Sequence, residues 1–105
     1  MIIRLVSVRF APAQFAAVRS FAQERLAPTL GALPGFGSYV AGLDEASGQF
    51  LGVSVWDTEE QAHSADEAVA RLRAEFSSAI EATGAPRPGQ SDERLPRRYE
   101  VIARA

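Results

Sequence analysis

The chain has 105 residues, of which 47% are hydrophobic and 23% charged, a balance suited to one soluble globular domain with a single core. Its net charge of -2 supplies no broad pull toward nucleic acid, and the absence of cysteine excludes disulfides, thiolate metal sites, iron–sulfur clusters and cysteine nucleophiles. The opening "MIIRLVSVRF" is apolar but interrupted by Arg4 and Arg9, too short for a secretory core or a membrane span, so a cytoplasmic protein with no membrane partner is expected.

In chain order, Ile2 to Phe10 reads as a strand. Both of its alternating sets, Arg4/Val6/Val8/Phe10 and Ile3/Leu5/Ser7/Arg9, contain apolar members, which predicts cover on both faces. Pro12 suits a first helical turn, and Phe15, Val18, Ala22 and Leu26 follow at helical spacing until Pro28, expected to end or kink the helix. "GALPGFGS" then reads as a turn before a strand from Ser38 to Leu43. "DEASG" links that strand to Gln49–Trp56 as a hairpin, and Leu51/Val53/Val55 again leave neither face polar.

Thr58 with Gln61, and Ser64 with Glu67, each fit a helix-start pattern, predicting a short helical turn before a longer helix. In the longer helix Val69, Leu72, Phe76 and Ile80 form one stripe, flanked by Ala65, Ala68 and Ala79. Residues 84–97 hold three prolines and two glycines and read as a long loop; "YEVIAR" from Tyr99 is the closing strand.

The order βαββαβ suits an α+β, ferredoxin-like domain over residues 1–105: a four-stranded antiparallel sheet with both helices on one face. Two helices cover only one side, yet the strands are apolar on both. The pattern therefore predicts a homodimer with its sheets face to face.

"LPGFGSYVAGLD", "VSVWDTEE" and "RYEVIA", in that order and separated by the helices, resemble the antibiotic biosynthesis monooxygenase superfamily of dimeric α/β barrels. The likeness spans nearly the whole chain. It implies a fold shared by cofactor-independent monooxygenases of polycyclic phenols, haem-degrading enzymes, quinol oxidases and members without established activity. The phenol-oxidising branch implies removal of a phenolic proton and electron transfer from the resulting anion to O₂, with neither flavin nor metal. Its Trp, Asn and Tyr constellation is incomplete, because this chain has no asparagine. The haem-degrading pattern fits less well: Ser7 stands where an asparagine is expected, the second helix has no tryptophan, and His63 comes too early.

On this resemblance Trp56 would flank a small or polycyclic aromatic phenol, Ser7 and Tyr39 would orient its oxygens, and His63 would be the base. Other readings of the same residues stay open. Trp56, with Gly52 and Ser54 before it on one strand face, either fills the core or walls a pocket. His63 is either a base near neutral pH or a surface residue near a helix start. "EQAH", Glu60 to His63, matches one half of a di-iron pattern that needs four helices, and "GALPGFG" lacks the lysine of a phosphate loop. Arg97 and Arg98 either hold an anionic ligand or a partner's carboxylates, or stand solvated, or pair with Asp92, Glu93 or the other subunit. The competing class is a non-catalytic ligand-binding or interaction module on the same barrel. No resident cofactor or metal is expected on either reading.

Overall fold

The β-branched run at the start of the chain forms β1 (Ile2–Arg9) in a computed structural model that describes residues 1–82 and 97–104. With β2 (Phe36–Asp44), β3 (Gln49–Trp56) and β4 (Arg97–Glu100) it makes one sheet of order β2-β3-β1-β4, antiparallel throughout. This is the ferredoxin-like α+β arrangement expected from the sequence, with the helices on one face.

Between β1 and β2 the chain winds through a tight 3-10 turn (Pro12–Gln14), α1 (Phe15–Phe21), a π turn (Ala22–Leu26) and α2 (Ala27–Gly31). Buried Gln14 accepts a hydrogen bond from the Ala11 amide at 2.8 Å, closing the entry turn. Pro28 does not end the helical path. Proline has no N–H to give and its ring crowds the carbonyl four residues back, and the wider π turn immediately before it relieves both demands. Val18, Leu26 and Leu30 are thereby buried on one side of a single arm.

The hairpin turn is tied by Asp44, which accepts from the Ala46 amide at 3.1 Å, the Ser47 hydroxyl at 3.0 Å and, through its backbone carbonyl, the Gly48 amide at 2.7 Å. Gly48 has φ +78°, and a Cβ there would lie 2.3 Å from the Phe10 carbonyl oxygen, so both conformation and space require glycine.

After β3 the predicted pair of helix starts becomes one. Thr58 and Gln61 cap each other reciprocally at 3.2 Å in both directions, opening α3 (Glu59–Ala82). Ser64 instead gives its hydroxyl proton to the Glu60 carbonyl at 3.2 Å, a bond made inside a running helix, so no second start forms. Ala65, Ala68, Val69, Leu72 and Phe76 are buried as the stripe predicted. Ala79 and Ile80 lie in the last turns of α3, whose side chains fall outside the described residues, as do residues 84–96 of the predicted loop. The closing strand runs over Arg97–Glu100 rather than Tyr99–Arg104: Val101 still donates to the Met1 carbonyl at 3.0 Å, but β1 has no residue left to pair beyond it, and Ile102 is exposed.

Strand register assigns the faces. Phe50, Gly52, Ser54 and Trp56 of β3 point toward the helices with Val8, Val6, Arg4 and Ile2 of β1. The opposite face carries Ile3, Leu5, Val53 and Val55, together with Val40, Leu51 and Tyr99, which are 69%, 41% and 44% exposed. Among the described residues, no helix is long and apolar enough to cross a membrane.

Candidate functional site

One row of residues crosses the helix-covered face of all four strands: Arg98 of β4, Arg4 of β1, Ser54 of β3 and Tyr39 of β2. Its polarity is unusual for a position between sheet and helices, and each member solves that problem differently.

At the β2 end, Tyr39 lines a cavity of about 270 Å³ between the sheet and the helical arm. The arm contributes Val18, Arg19, Ala22, Gln23 and Ala27; Ala41, Gly42, Leu43 and Phe50 come from the hairpin. The phenol lies over Gly52 of β3, where a Cβ would make ordinary contact with the Tyr39 hydroxyl at 3.4 Å. Among the described residues that hydroxyl has no hydrogen-bond partner.

Burial pushes Tyr39 up to about 12, against the opposing pull of the Arg4 charge. Near neutral pH the group is therefore a neutral phenol able to donate a proton to a ligand oxygen. The same shift has a consequence for stability. Between the ordinary phenol range near 10 and the folded value near 12, the unfolded chain loses this proton while the folded chain keeps it. Tyr39 should thus contribute to a fall in stability as pH rises through that window, and Tyr39→Phe should flatten the decline in urea midpoint measured from pH 9 to pH 11.5. An unchanged slope would show that Tyr39 titrates alike in both states.

In the middle of the row, Ser54 is 1% exposed and accepts a hydrogen bond from the Trp56 indole N–H at 2.9 Å. Trp56 is 0% exposed, with Phe36 edge-on at 5.7 Å between ring centres. It fills the core and is not part of the cavity wall, because its strand position places it beyond Ser54, away from Gly52 and Tyr39. Burying the ring while satisfying its one donor explains this placement.

At the β1–β4 end, Arg4 is 4% exposed, and its Nε donates to Asp66 of α3 at 2.6 Å. Arg98 donates from Nη2 to the other Asp66 oxygen, and among the described residues its buried Nε has no partner. Arg98 thus pairs chiefly with Asp66, a partner the sequence reading did not find. Arg4 and Asp66 were also missed as a pair; the available signal was an arginine alternating with Val6 and Val8 on a covered strand face, which demands a buried carboxylate.

The structure does not bring the four predicted site residues together. Ser7 lies on the uncovered face of β1, where its hydroxyl accepts from the Gln49 side chain, so it is separated from Tyr39 by the thickness of the sheet. His63 sits on α3 with its side chain 67% exposed, its Nδ1 at 3.1 Å from Arg98 Nη2 and 3.7 Å from Asp66. The cavity wall contains Tyr39 and none of Ser7, Trp56 or His63. No cluster of three or more His, Asp or Glu side chains suited to a metal ion occurs among the described residues.

Comparison with solved structures finds the same fold repeatedly. A candidate antibiotic biosynthesis monooxygenase from Deinococcus radiodurans superposes with TM-score 0.69 at 17% identity, over 100% of this chain and 96% of that one. A monooxygenase from the gene ActVA-Orf6 of Streptomyces coelicolor, determined with the ligand nanaomycin D, gives 0.64 at 19% identity, over 99% and 88%. Rv0793 from Mycobacterium tuberculosis gives 0.68 at 12% identity, over 99% and 97%. Identities this low establish the fold alone. Comparison with curated proteins finds no match. The family model for antibiotic biosynthesis monooxygenases matches residues 1–75, from β1 through most of α3, and on that match the chain belongs to this family.

Proposed function

We propose that the chain is a cofactor-independent monooxygenase that oxidises a small aromatic phenol with O₂ in the cavity beside Tyr39. The observation that carries this reading is the unpartnered Tyr39 hydroxyl on the wall of an otherwise largely apolar cavity. A neutral phenol donating to a substrate oxygen stabilises that oxygen as an anion, and an electron-rich phenolate is the species that gives an electron to O₂. The volume of about 270 Å³ falls just under the range of about 300–1,000 Å³ typical for drug-sized ligands, which favours one or two rings over a larger polycycle.

His63 is too exposed to serve this cavity, so the substrate proton leaves to solvent and Tyr39 holds the anion. Oxygen uptake with a panel of hydroquinones and naphthols tests this. The wild type should turn over, and Tyr39→Phe should lose about tenfold in kcat/KM, the equivalent of one hydrogen bond of about 1.4 kcal/mol. His63→Ala should change little. Binding without oxygen uptake would favour the second reading, a ligand-binding module, which the missing asparagine and the outward His63 also support.

We further propose that the exposed sheet face is covered by a second copy of the chain. Val40, Leu51 and Tyr99 stand in a continuous apolar field with Ile3, Leu5, Val53 and Val55, an arrangement costly to leave in water. Sedimentation at micromolar concentration should give a dimer, and Val40→Asp should shift it to monomer. A stable wild-type monomer would overturn this.

A further inference from the structure

We infer that the cavity's ligand carries an anionic group, a carboxylate on an aromatic body, which Arg19 holds after releasing Glu45. The inference rests on the reading of this cavity as the ligand site and adds the chemical class of the ligand. Every ionised side chain on the wall matters here, and among the described residues that is Arg19. Tyr39 is a neutral phenol, Gln23 is uncharged, and the rest of the lining is apolar or glycine. An aromatic body thus finds apolar walls, while a negative substituent finds a guanidinium from the arm and, among the described residues, no opposing carboxylate in the lining.

Arg19 is already paired, and the nature of that pair is the second observation. Its Nη2 donates to Glu45 in the turn between β2 and β3, so the contact links the helical arm to the hairpin beside Gly42 and Leu43 of the cavity wall. Both side chains are more than half exposed, at 53% and 58%. Exposed ion pairs contribute under about 1 kcal/mol, because water screens them and two long side chains must be ordered to make them. A ligand carboxylate whose aromatic body is already held replaces Glu45 at little cost. It also gains the two-pronged geometry that a guanidinium offers a carboxylate.

The neighbouring charges do not compete for this role. Asp44 is engaged by the turn's own donors, and Arg25 pairs with Glu75 of α3. Glu45 is thus the removable partner: it keeps Arg19 at the cavity until an anion arrives and yields to one that brings apolar contact with it.

Calorimetric titration of a hydroxynaphthoate and of the naphthol that lacks its carboxylate, at low salt, tests this with Arg19→Gln and Glu45→Gln beside the wild type. The acid should bind the wild type at least ~5-fold more tightly than the naphthol. Arg19→Gln should erase that preference by weakening the acid far more than the naphthol, and Glu45→Gln should tighten the acid ~2- to 5-fold. Equal binding of the two compounds to the wild type, or a preference that survives Arg19→Gln, overturns the inference while leaving the cavity in place. If neither compound binds, the cavity reading itself fails, and this inference fails with it.

Discussion

Replacing Asp66 with alanine is expected to lower the unfolding free energy by about 3–5 kcal/mol, the range for removing one partner of a buried ion pair. Arg4 and Arg98 face each other directly in the β1–β4 register, and like charges so placed repel. Asp66 reaches down from α3 and gives one carboxylate oxygen to each. Without it Arg4, 4% exposed, keeps no ion-pair partner among the described residues. The loss should be read from urea unfolding at fixed protein concentration, since association would add to apparent stability.

Two companion measurements separate charge from shape. Arg4→Met placed on top of Asp66→Ala should recover part of the loss, because the stranded charge is gone. Amide exchange in β4 should accelerate in Asp66→Ala before the rest of the sheet is affected, since four residues and this clasp are most of what fastens that strand. A loss below about 1 kcal/mol would mean that the pair behaves as a surface contact.

Trp56→Ala is expected to cost about 3–5 kcal/mol, the usual penalty for emptying a buried aromatic position. The ring is wholly enclosed, and its removal also deprives Ser54 of its donor. Trp56→Phe should recover most of the packing and lose the hydrogen bond. The discriminating result is ligand affinity: Trp56→Phe should bind aromatic ligands as the wild type does, because the indole lies outside the Tyr39 cavity. A clear fall in affinity with little change in stability would make Trp56 a pocket residue after all.

The sequence made the frame legible because the frame is written in local signals. Alternation located β1 and gave β3 its observed bounds, Gln49–Trp56, and the Thr58–Gln61 box marked the start of α3. Local signals also misled where longer-range context decides. The Ser64–Glu67 spacing repeats a cap pattern, but a helix already running absorbed it; Pro28 normally stops a helix, but the π turn accommodated it. The site was harder still. Whether Ser7 shares a face with Tyr39 depends on register across three strands, and the Arg4–Asp66 contact spans 62 positions that no local pattern connects. Tyr39 was singled out by the tyrosine that the family resemblance implies, and the fold places it on the cavity wall. His63 had equally visible chemistry, and its helix turned that chemistry outward.

The π turn at Ala22–Leu26 also bears on how such a chain could be altered. A π turn holds one residue more than the α turns flanking it. Val18 ahead of it and Leu30 beyond it are both buried, and Ala22, Gln23 and Ala27, in or beside it, face the cavity. Deleting a single residue here would restore an ordinary helix while leaving the two flanking segments close to their present orientation. Length changes are normally tolerated in loops and ruinous in packed helices. At this one place in the arm, the loss of one residue would instead be taken up by the turn itself, changing the side chains presented to the ligand while Val18 and Leu30 keep their buried places.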